Sequence, residues 1–103
     1  MRVKIWTQLL DKRVLIDGEM RDVYGLSDFH VRPSRRGIGK YCLQAFKELA
    51  KKDGKYCIVG FCDTESMLRE FYVKNGFYYY GKYGEKYLFS SIPVRSIEVN
   101  ETW

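Results

Sequence analysis

The sequence predicts an α+β fold, a mixed and mostly antiparallel sheet whose elements follow the order βββ-α-β-α-ββ. Three observations predict it: strand-like alternation in the first third, a helical period over residues 38–52, and a nearly continuous apolar run over 55–62. The chain has 103 residues, of which 46% are hydrophobic. We therefore expect a single domain over residues 1–103 with a modest core.

Three strands are predicted before the first helix, over residues 3–10, 13–16 and 19–31. The polar pair at 11–12 is expected to turn the chain between the first two. Asp17 and Gly18 form a two-residue hairpin turn, because both positions of such a turn must tolerate positive φ. The alternation slips at residues 25–27, which predicts a bulge in the third strand. Pro33 then ends strand pairing.

The helix over residues 38–52 is predicted from one apolar stripe, formed by Ile38, Cys42, Leu43, Phe46, Leu49 and Ala50. Gly54 is expected to stop it. The run 55–62 is then a central strand, parallel to the strand before Pro33, because a helix crosses over between them.

A second helix is predicted from a cap at Asp63 or Thr64 to Asn75 and Gly76. Residues 77–81 and 85–91 form a closing hairpin. The remaining residues, 92–103, either add an edge strand or lie over the surface.

Composition limits the partners. The net charge of +5 favours an anionic partner such as a nucleic acid, a phosphate or an acidic surface. Cys42, Cys57 and Cys62 are odd in number and lack CxxC spacing, so we expect reduced thiols, a cytoplasmic protein and no metal site. No segment is long and apolar enough to predict a membrane span, and no signal peptide is recognised.

The stretch VRPSRRGIGK, residues 31–40, lies between a predicted strand and a predicted helix. The first N–H groups of a helix have no internal partner, and glycine lets an anion approach them closely. Full charges are added there by Arg35, Arg36 and Lys40. A pyrophosphate cradle is one interpretation, and a basic turn before an ordinary helix is the other.

Two common phosphate motifs do not fit this stretch. A P-loop needs Ser or Thr where Tyr41 stands, and the dinucleotide pattern GxGxxG needs glycine where Cys42 stands. We therefore predict neither an NTPase nor a Rossmann domain.

Two segments together resemble the GCN5-related N-acetyltransferase (GNAT) superfamily. LSDFHVRPSRRGIGKYCLQAF is similar to the family's signature segment, in which a strand leads into a glycine turn that binds the pyrophosphate of acetyl-CoA. LREFYVKNGFYYYG is similar to its FY-x-x-x-GF segment. The resemblance covers roughly residues 3 to 90 and implies a short member without the usual N-terminal strand and helices.

The resemblance also implies a site. It places the pantetheine and pyrophosphate of acetyl-CoA along Phe29, His30, Val31, Arg35, Arg36, Gly37, Ile38, Gly39 and Lys40. It implies that Tyr72 protonates the departing sulfur. Asp28, on the bulged strand, is the first candidate for a general base, with Glu19, Asp22, Glu65 and His30 as alternatives.

The function expected from these features is transfer of an acetyl group from acetyl-CoA to a primary amine on a small molecule or peptide, without a metal. A non-catalytic coenzyme A binder is one rival. A basic nucleic-acid-binding module is another, weakened because the charges have both signs and no RNA-recognition motif is present. A homodimer could cover the acceptor site.

Overall fold

The fold begins with a long hairpin. A computed structural model describes residues 4–32 and 37–99. Strands β1 (Lys4–Ile16) and β2 (Glu19–Arg32) pair antiparallel. Asp17 (φ 51°) and Gly18 (φ 85°) join them, both in the left-handed region. The predicted two-residue turn is therefore confirmed, together with the reason that Gly suits it.

The turn predicted at residues 11–12 is wrong. Asp11 lies opposite Tyr24 within an uninterrupted ladder. Its carboxylate also forms an ion pair with Lys55, in which Asp11 Oδ1 lies 2.7 Å from Lys55 Nζ. The polar pair is therefore part of one long strand, since its side chains find partners on neighbouring segments without the chain turning.

A bulge occurs in β2 as predicted, but later. Gln8 lies opposite Ser27 and Trp6 opposite His30, so β2 has one extra residue in this interval. Gly25 and Leu26 are held in register by β1 on one side and by β3 (Ile58–Cys62) on the other. The irregularity can therefore develop only beyond the part of β2 that has two neighbours.

Helix α1 (Ile38–Lys52) packs on one face of the sheet. Its buried residues Leu43 and Ala50 contribute to a core cluster with Leu26 and Ile58. Leu49, which was predicted to be on the buried stripe, is 40% exposed. Asp53 forms the C-cap, and the next residue, Gly54, has φ 72°, which confirms the predicted stop.

The second helical segment contains three kinds of turn. A short α-helix, α2 (Glu65–Met67), leads into a π-helical turn (Leu68–Tyr72) and a 3₁₀ turn (Val73–Asn75). Thr64 Oγ1 accepts the Met67 N–H at 3.1 Å, which decides the predicted cap in favour of Thr64. The segment ends at Gly76, as predicted, with φ 88°.

The remaining strands complete a six-stranded mixed sheet in the order β4-β5-β3-β2-β1-β6, with β4 (Tyr78–Tyr83), β5 (Lys86–Ser90) and β6 (Ile97–Glu98). The closing hairpin and the parallel β2–β3 pair are as predicted. The observed order is ββ-α-β-α-βββ, because the first two predicted strands are one and the tail adds an edge strand.

The C-terminal segment covers the second face of the sheet. A second buried cluster contains Val14, Val23, Val59, Leu88 and Val99, and partly buried side chains from the same tail pack against it. Tyr83 Oη donates to the Val99 carbonyl at 2.9 Å. Within residues 4–32 and 37–99, no helix has the length and apolar character needed to cross a membrane.

Asp17 fastens this tail to the hairpin turn, because its Oδ1 accepts the N–H groups of Arg95 at 2.6 Å and Ser96 at 2.9 Å. Asp17→Ala removes both hydrogen bonds and a residue that tolerates positive φ. We expect the free energy of unfolding to fall by about 1–2 kcal/mol. Urea denaturation measures it, with Asp17→Asn as the milder control; equal stability of the Ala variant and the unmodified chain contradicts this role for Asp17.

Candidate functional site

The site begins where two parallel strands separate. β2 and β3 pair at Tyr24–Ile58, Gly25–Val59 and Leu26–Gly60. Beyond that point β2 continues to Arg32 and β3 to Cys62, but the two strands no longer pair. A cleft of about 720 Å³ lies at this open end. We call it the strand-end cleft.

The N-terminus of α1 forms one side of the strand-end cleft. Gly37, the N-cap, has φ 74° and provides no side-chain cap, and the first turn contains no acidic residue. Within the described part of the chain this helix end is uncapped, and its first N–H groups carry partial positive charge. Lys40 lies beside them on the cleft. This side of the cleft is suited to an anion.

Gly39 is required here by close packing. A Cβ at this position would lie 2.8 Å from Cζ of Phe71, which also lines the cleft. Only glycine therefore lets the first turn of α1 contact this ring without a displacement. Phe71 packs in turn against Phe29 of β2, with ring centroids 6.1 Å apart. The two sides of the cleft are thus joined by an aromatic contact.

Tyr72 lies at the base of the cleft. It is 4% exposed, and its ring stacks on Phe89 at 4.1 Å and meets Phe77 edge-on at 5.9 Å. Burial raises the pKa of the Tyr72 phenol above its ordinary value, and the nearby Cys62 and Asp63 raise it further. The phenol therefore stays protonated throughout the neutral range, which is the state a proton donor needs.

The direction of the Tyr72 side chain depends on the π-helical turn. The N–H of Val73 donates to the carbonyl of Leu68, five residues back, so this turn is wider than an α-helical one. Asn75 Nδ2 donates to the carbonyl of Phe71 at 2.7 Å. π-Helical turns are rare and are frequently found at functional sites.

Most of the site residues predicted from the sequence are brought together. The strand-end cleft is lined by Phe29, His30, Val31, Gly37, Gly39, Lys40 and Tyr72. Ile38 is half-buried at the start of α1 and does not line it. Arg35 and Arg36 lie outside the described residues. Asp28 belongs to the bulged part of β2, and its side chain is also outside the described part of the structure.

The alternative bases are separated from this site. Glu19 pairs with Arg21, and Asp22 pairs with Arg13, all at the hairpin-turn end of β2. Glu65 pairs with Arg69 along its own helical segment and does not line the cleft. His30 is the alternative that does line it.

Sequence reasoning missed the cleft residues from the second helical segment. These are Thr64, Ser66, Met67, Glu70, Phe71, Lys74 and Asn75. An α-helical period places Glu70 and Lys74 on a common face, but it does not predict the wider turn. The Asn-Gly pair at its end predicts only the stop of the helix.

A second opening, of about 650 Å³, lies near the other end of α1 and contains one predicted residue, the alternative base Asp22. Of its four cations, Arg21 and Lys55 form ion pairs with Glu19 and Asp11, and Lys47 donates to the carbonyl of Asn75. No group of three or more His, Cys, Asp or Glu side chains within residues 4–32 and 37–99 could hold a metal ion. The strand-end cleft remains the stronger candidate site.

Comparisons of the chain with protein-family models, with curated proteins and with solved structures give no match.

The packing of Tyr72 predicts how its variants fold. Tyr72→Ala removes a buried ring that contacts the rings of Phe71, Phe77 and Phe89, and we expect it to lower the free energy of unfolding by about 3–5 kcal/mol. Tyr72→Phe keeps the ring and should change stability by less than about 1 kcal/mol. Denaturation followed by circular dichroism measures both; a Phe variant as unstable as the Ala variant contradicts the packing role of the ring.

Proposed function

We propose that this protein is an N-acetyltransferase that moves an acetyl group from acetyl-CoA to a primary amine. The observation that carries the proposal is the strand-end cleft itself. Its open strand edge, an uncapped helix N-terminus and a buried, protonated tyrosine all meet in one opening. The proposed resemblance to the GNAT family rests on the same residues.

The charge on one side of the cleft suits the pyrophosphate of the donor. The uncapped first turn of α1 offers backbone N–H groups, and Gly37 presents no side chain in front of them. Among the described residues, no atom lies within 4 Å of the position that a Cβ at Gly37 would take. Lys40 adds a full positive charge. The residues present therefore fit a diphosphate.

The strand on the other side suits an amide-containing chain. From residue 30 onward, β2 pairs with β1 on one edge and with no described strand on the other. An extended ligand with amide groups can add to such an edge by backbone hydrogen bonds. The pantetheine arm is a ligand of this kind, and Phe29 and Val31 would supply the backbone groups.

Acetyl transfer forms a bond from the amine nitrogen to the acetyl carbon, breaks the carbon–sulfur bond, moves one proton to the sulfur and releases one from the nitrogen. Tyr72 holds a proton at its phenol oxygen, and its raised pKa keeps that proton in place until a strong acceptor develops nearby. The buried ring stack fixes its position. We assign Tyr72 the role of proton donor.

The acceptor is proposed to be a small-molecule or peptide amine. Glu70 and His30 line the cleft and can attract a cation or accept a proton, whereas Asp28 is retained as the base suggested by the sequence. The thiols at Cys42, Cys57 and Cys62 are free, which suits a reducing compartment such as the cytoplasm.

We expect isothermal titration calorimetry to detect acetyl-CoA binding at micromolar to millimolar ligand. Lys40→Gln should weaken it severalfold, because a charge beside the proposed diphosphate is lost. Lys82→Gln, remote in the sequence and on β4, is the matched control. No binding by the unmodified chain at millimolar acetyl-CoA contradicts the proposal. Binding without release of free thiol over a panel of amines identifies a non-catalytic binder instead.

Replacing Tyr72 with Phe should lower kcat by about 100-fold, the usual contribution of a general acid, while the acetyl-CoA dissociation constant changes by less than about twofold. Thiol release under saturating substrates measures kcat. Tyr78→Phe, on the exposed face of β4, is the control. An unchanged kcat in the Tyr72→Phe variant removes its proposed role.

The pH dependence follows from the direction of the Tyr72 shift. Because its pKa is raised, the phenol keeps its proton to higher pH than an ordinary tyrosine. We expect kcat/KM to rise with pH as the acceptor amine loses its proton, without a decline due to Tyr72 below about pH 10. A decline near pH 8 that disappears in Tyr72→Phe contradicts this assignment.

A further inference from the structure

We propose that Lys47 and Asn75 act together as positioning residues that hold the π-helical turn and thereby direct Tyr72 into the strand-end cleft. We call this pair the Lys47–Asn75 clamp. Its role in catalysis rests on the proposed function. Its role in holding the turn is independent of that function, and the two can be tested separately.

The π-helical turn receives a hydrogen bond from a side chain of the 3₁₀ turn that follows it. In an α-helix the carbonyl of Phe71 would accept the N–H of Asn75, four residues on. Here the amide side chain of Asn75 donates to that carbonyl at 2.7 Å. The N–H of Gly76 turns back to Val73, and the N–H of Phe77 donates to Tyr72 at 3.0 Å. The Asn75 side chain therefore ties the last residue of the 3₁₀ turn to a carbonyl inside the π-helical turn.

Lys47 fixes the end of the same segment from α1. Its Nζ donates to the carbonyl of Asn75 at 3.1 Å and approaches that of Gly76 at 3.4 Å. It also lies 4.7 Å from the centre of the Phe77 ring. A cation at the C-terminal end of a helical segment is favourable, because the last carbonyls carry partial negative charge.

The clamp is closely packed. A Cβ at Gly76 would lie 2.8 Å from Lys47 Nζ, and the φ of Gly76 is 88°. Lys47 is half-buried, and this burial lowers the pKa of its ammonium group. The ammonium group of Lys47 has thus lost part of its hydration and forms hydrogen bonds with backbone carbonyls instead. An incidental surface contact does not require this loss of hydration.

The geometry explains why Tyr72 needs the clamp. A π-helical turn holds about one residue more than an α-helical turn. If it relaxed to an α-helix, that extra residue would have to be taken up by rotating the helix. The positions on one side would rotate relative to the other by roughly 100°, the angle per residue of an α-helix. Tyr72, at the end of the π-helical turn, would then lose its stack on Phe89 or its place in the cleft.

Helix α1 connects the proposed diphosphate site with the segment that carries Tyr72. α1 carries Gly37 and Lys40 at its N-terminus and Lys47 two turns further on. Helix α1 therefore positions both the proposed diphosphate site and the segment that carries Tyr72. A shift of α1 on ligand binding would reach Tyr72 through Lys47.

The test uses two variants and their matched controls. Asn75→Asp keeps the size of the side chain but removes the N–H donor, with Gln44→Glu on the exposed face of α1 as the control. Lys47→Met keeps the aliphatic length but removes the charge, with the exposed Lys51→Met as the control. Lys47→Arg restores the cation and should recover function. Circular dichroism first establishes that each variant is folded.

Two readouts separate positioning from general destabilisation. Hydrogen–deuterium exchange should be at least about tenfold faster at Val73 and Phe77 in both variants, and unchanged across β3. kcat should fall about tenfold or more, whereas the acetyl-CoA dissociation constant should stay within about twofold. Lys47→Arg should return both quantities towards those of the unmodified chain.

The outcomes distinguish the two proposals. Unchanged exchange in the 68–77 segment for both variants overturns the clamp, whatever the activity. Faster exchange with an unaltered kcat overturns its positioning role. If the unmodified chain shows no acetyl transfer, the proposed function fails, and the exchange comparison alone still decides whether Lys47 and Asn75 hold the turn.

Discussion

The contact between Gly60 and the Phe89 ring is the constraint on which the candidate site depends. A Cβ at Gly60 would lie 2.5 Å from Cζ of Phe89 and 3.1 Å from the carbonyl of Leu26, so only glycine admits this ring against the strand. Gly60 is also the last residue of β3 that pairs with β2. Phe89 then supports Tyr72 by stacking. The Phe89 ring, packed against the backbone of Gly60, therefore links the point where β2 and β3 separate to the position of the Tyr72 phenol.

The sheet is stabilised from both faces by different parts of the chain. One face is covered by α1 and the second helical segment, whose largest buried contributions are aromatic and aliphatic side chains. The other face is covered by residues 91–99, which have little regular structure. The strand-end cleft lies on the helical face, where α1 and the π-helical turn are both anchored.

Much of the architecture could be predicted from sequence because it follows from local chemistry. Asp17–Gly18 requires positive φ, and the apolar run at 58–62 requires burial on both faces. The uninterrupted β1 could not be predicted, since Asp11 is held by Lys55, 44 positions later, and by a ladder that no local pattern reveals. The π-helical turn could not be predicted for the same reason. It depends on hydrogen bonds that Asn75 and Lys47 donate to backbone carbonyls, and a helical sequence pattern does not show these bonds. The residues of the cleft were largely anticipated, whereas the device that orients Tyr72 was not.

The attachment of the tail to Asp17 has a consequence for how the chain acquires its structure. Ser96 lies 79 positions from Asp17, so their hydrogen bond closes most of the chain into one loop. Closing such a loop costs more conformational entropy than forming the neighbouring hairpin, whose two strands are adjacent in sequence. The hairpin can therefore form early, whereas β6 can add only after β1 is in place and the rest of the sheet has brought the tail near it. The second face of the sheet is then the last part of this fold to be closed, and a nascent chain exposes Val14, Val23 and Val59 to solvent until residues 91–99 have been synthesised.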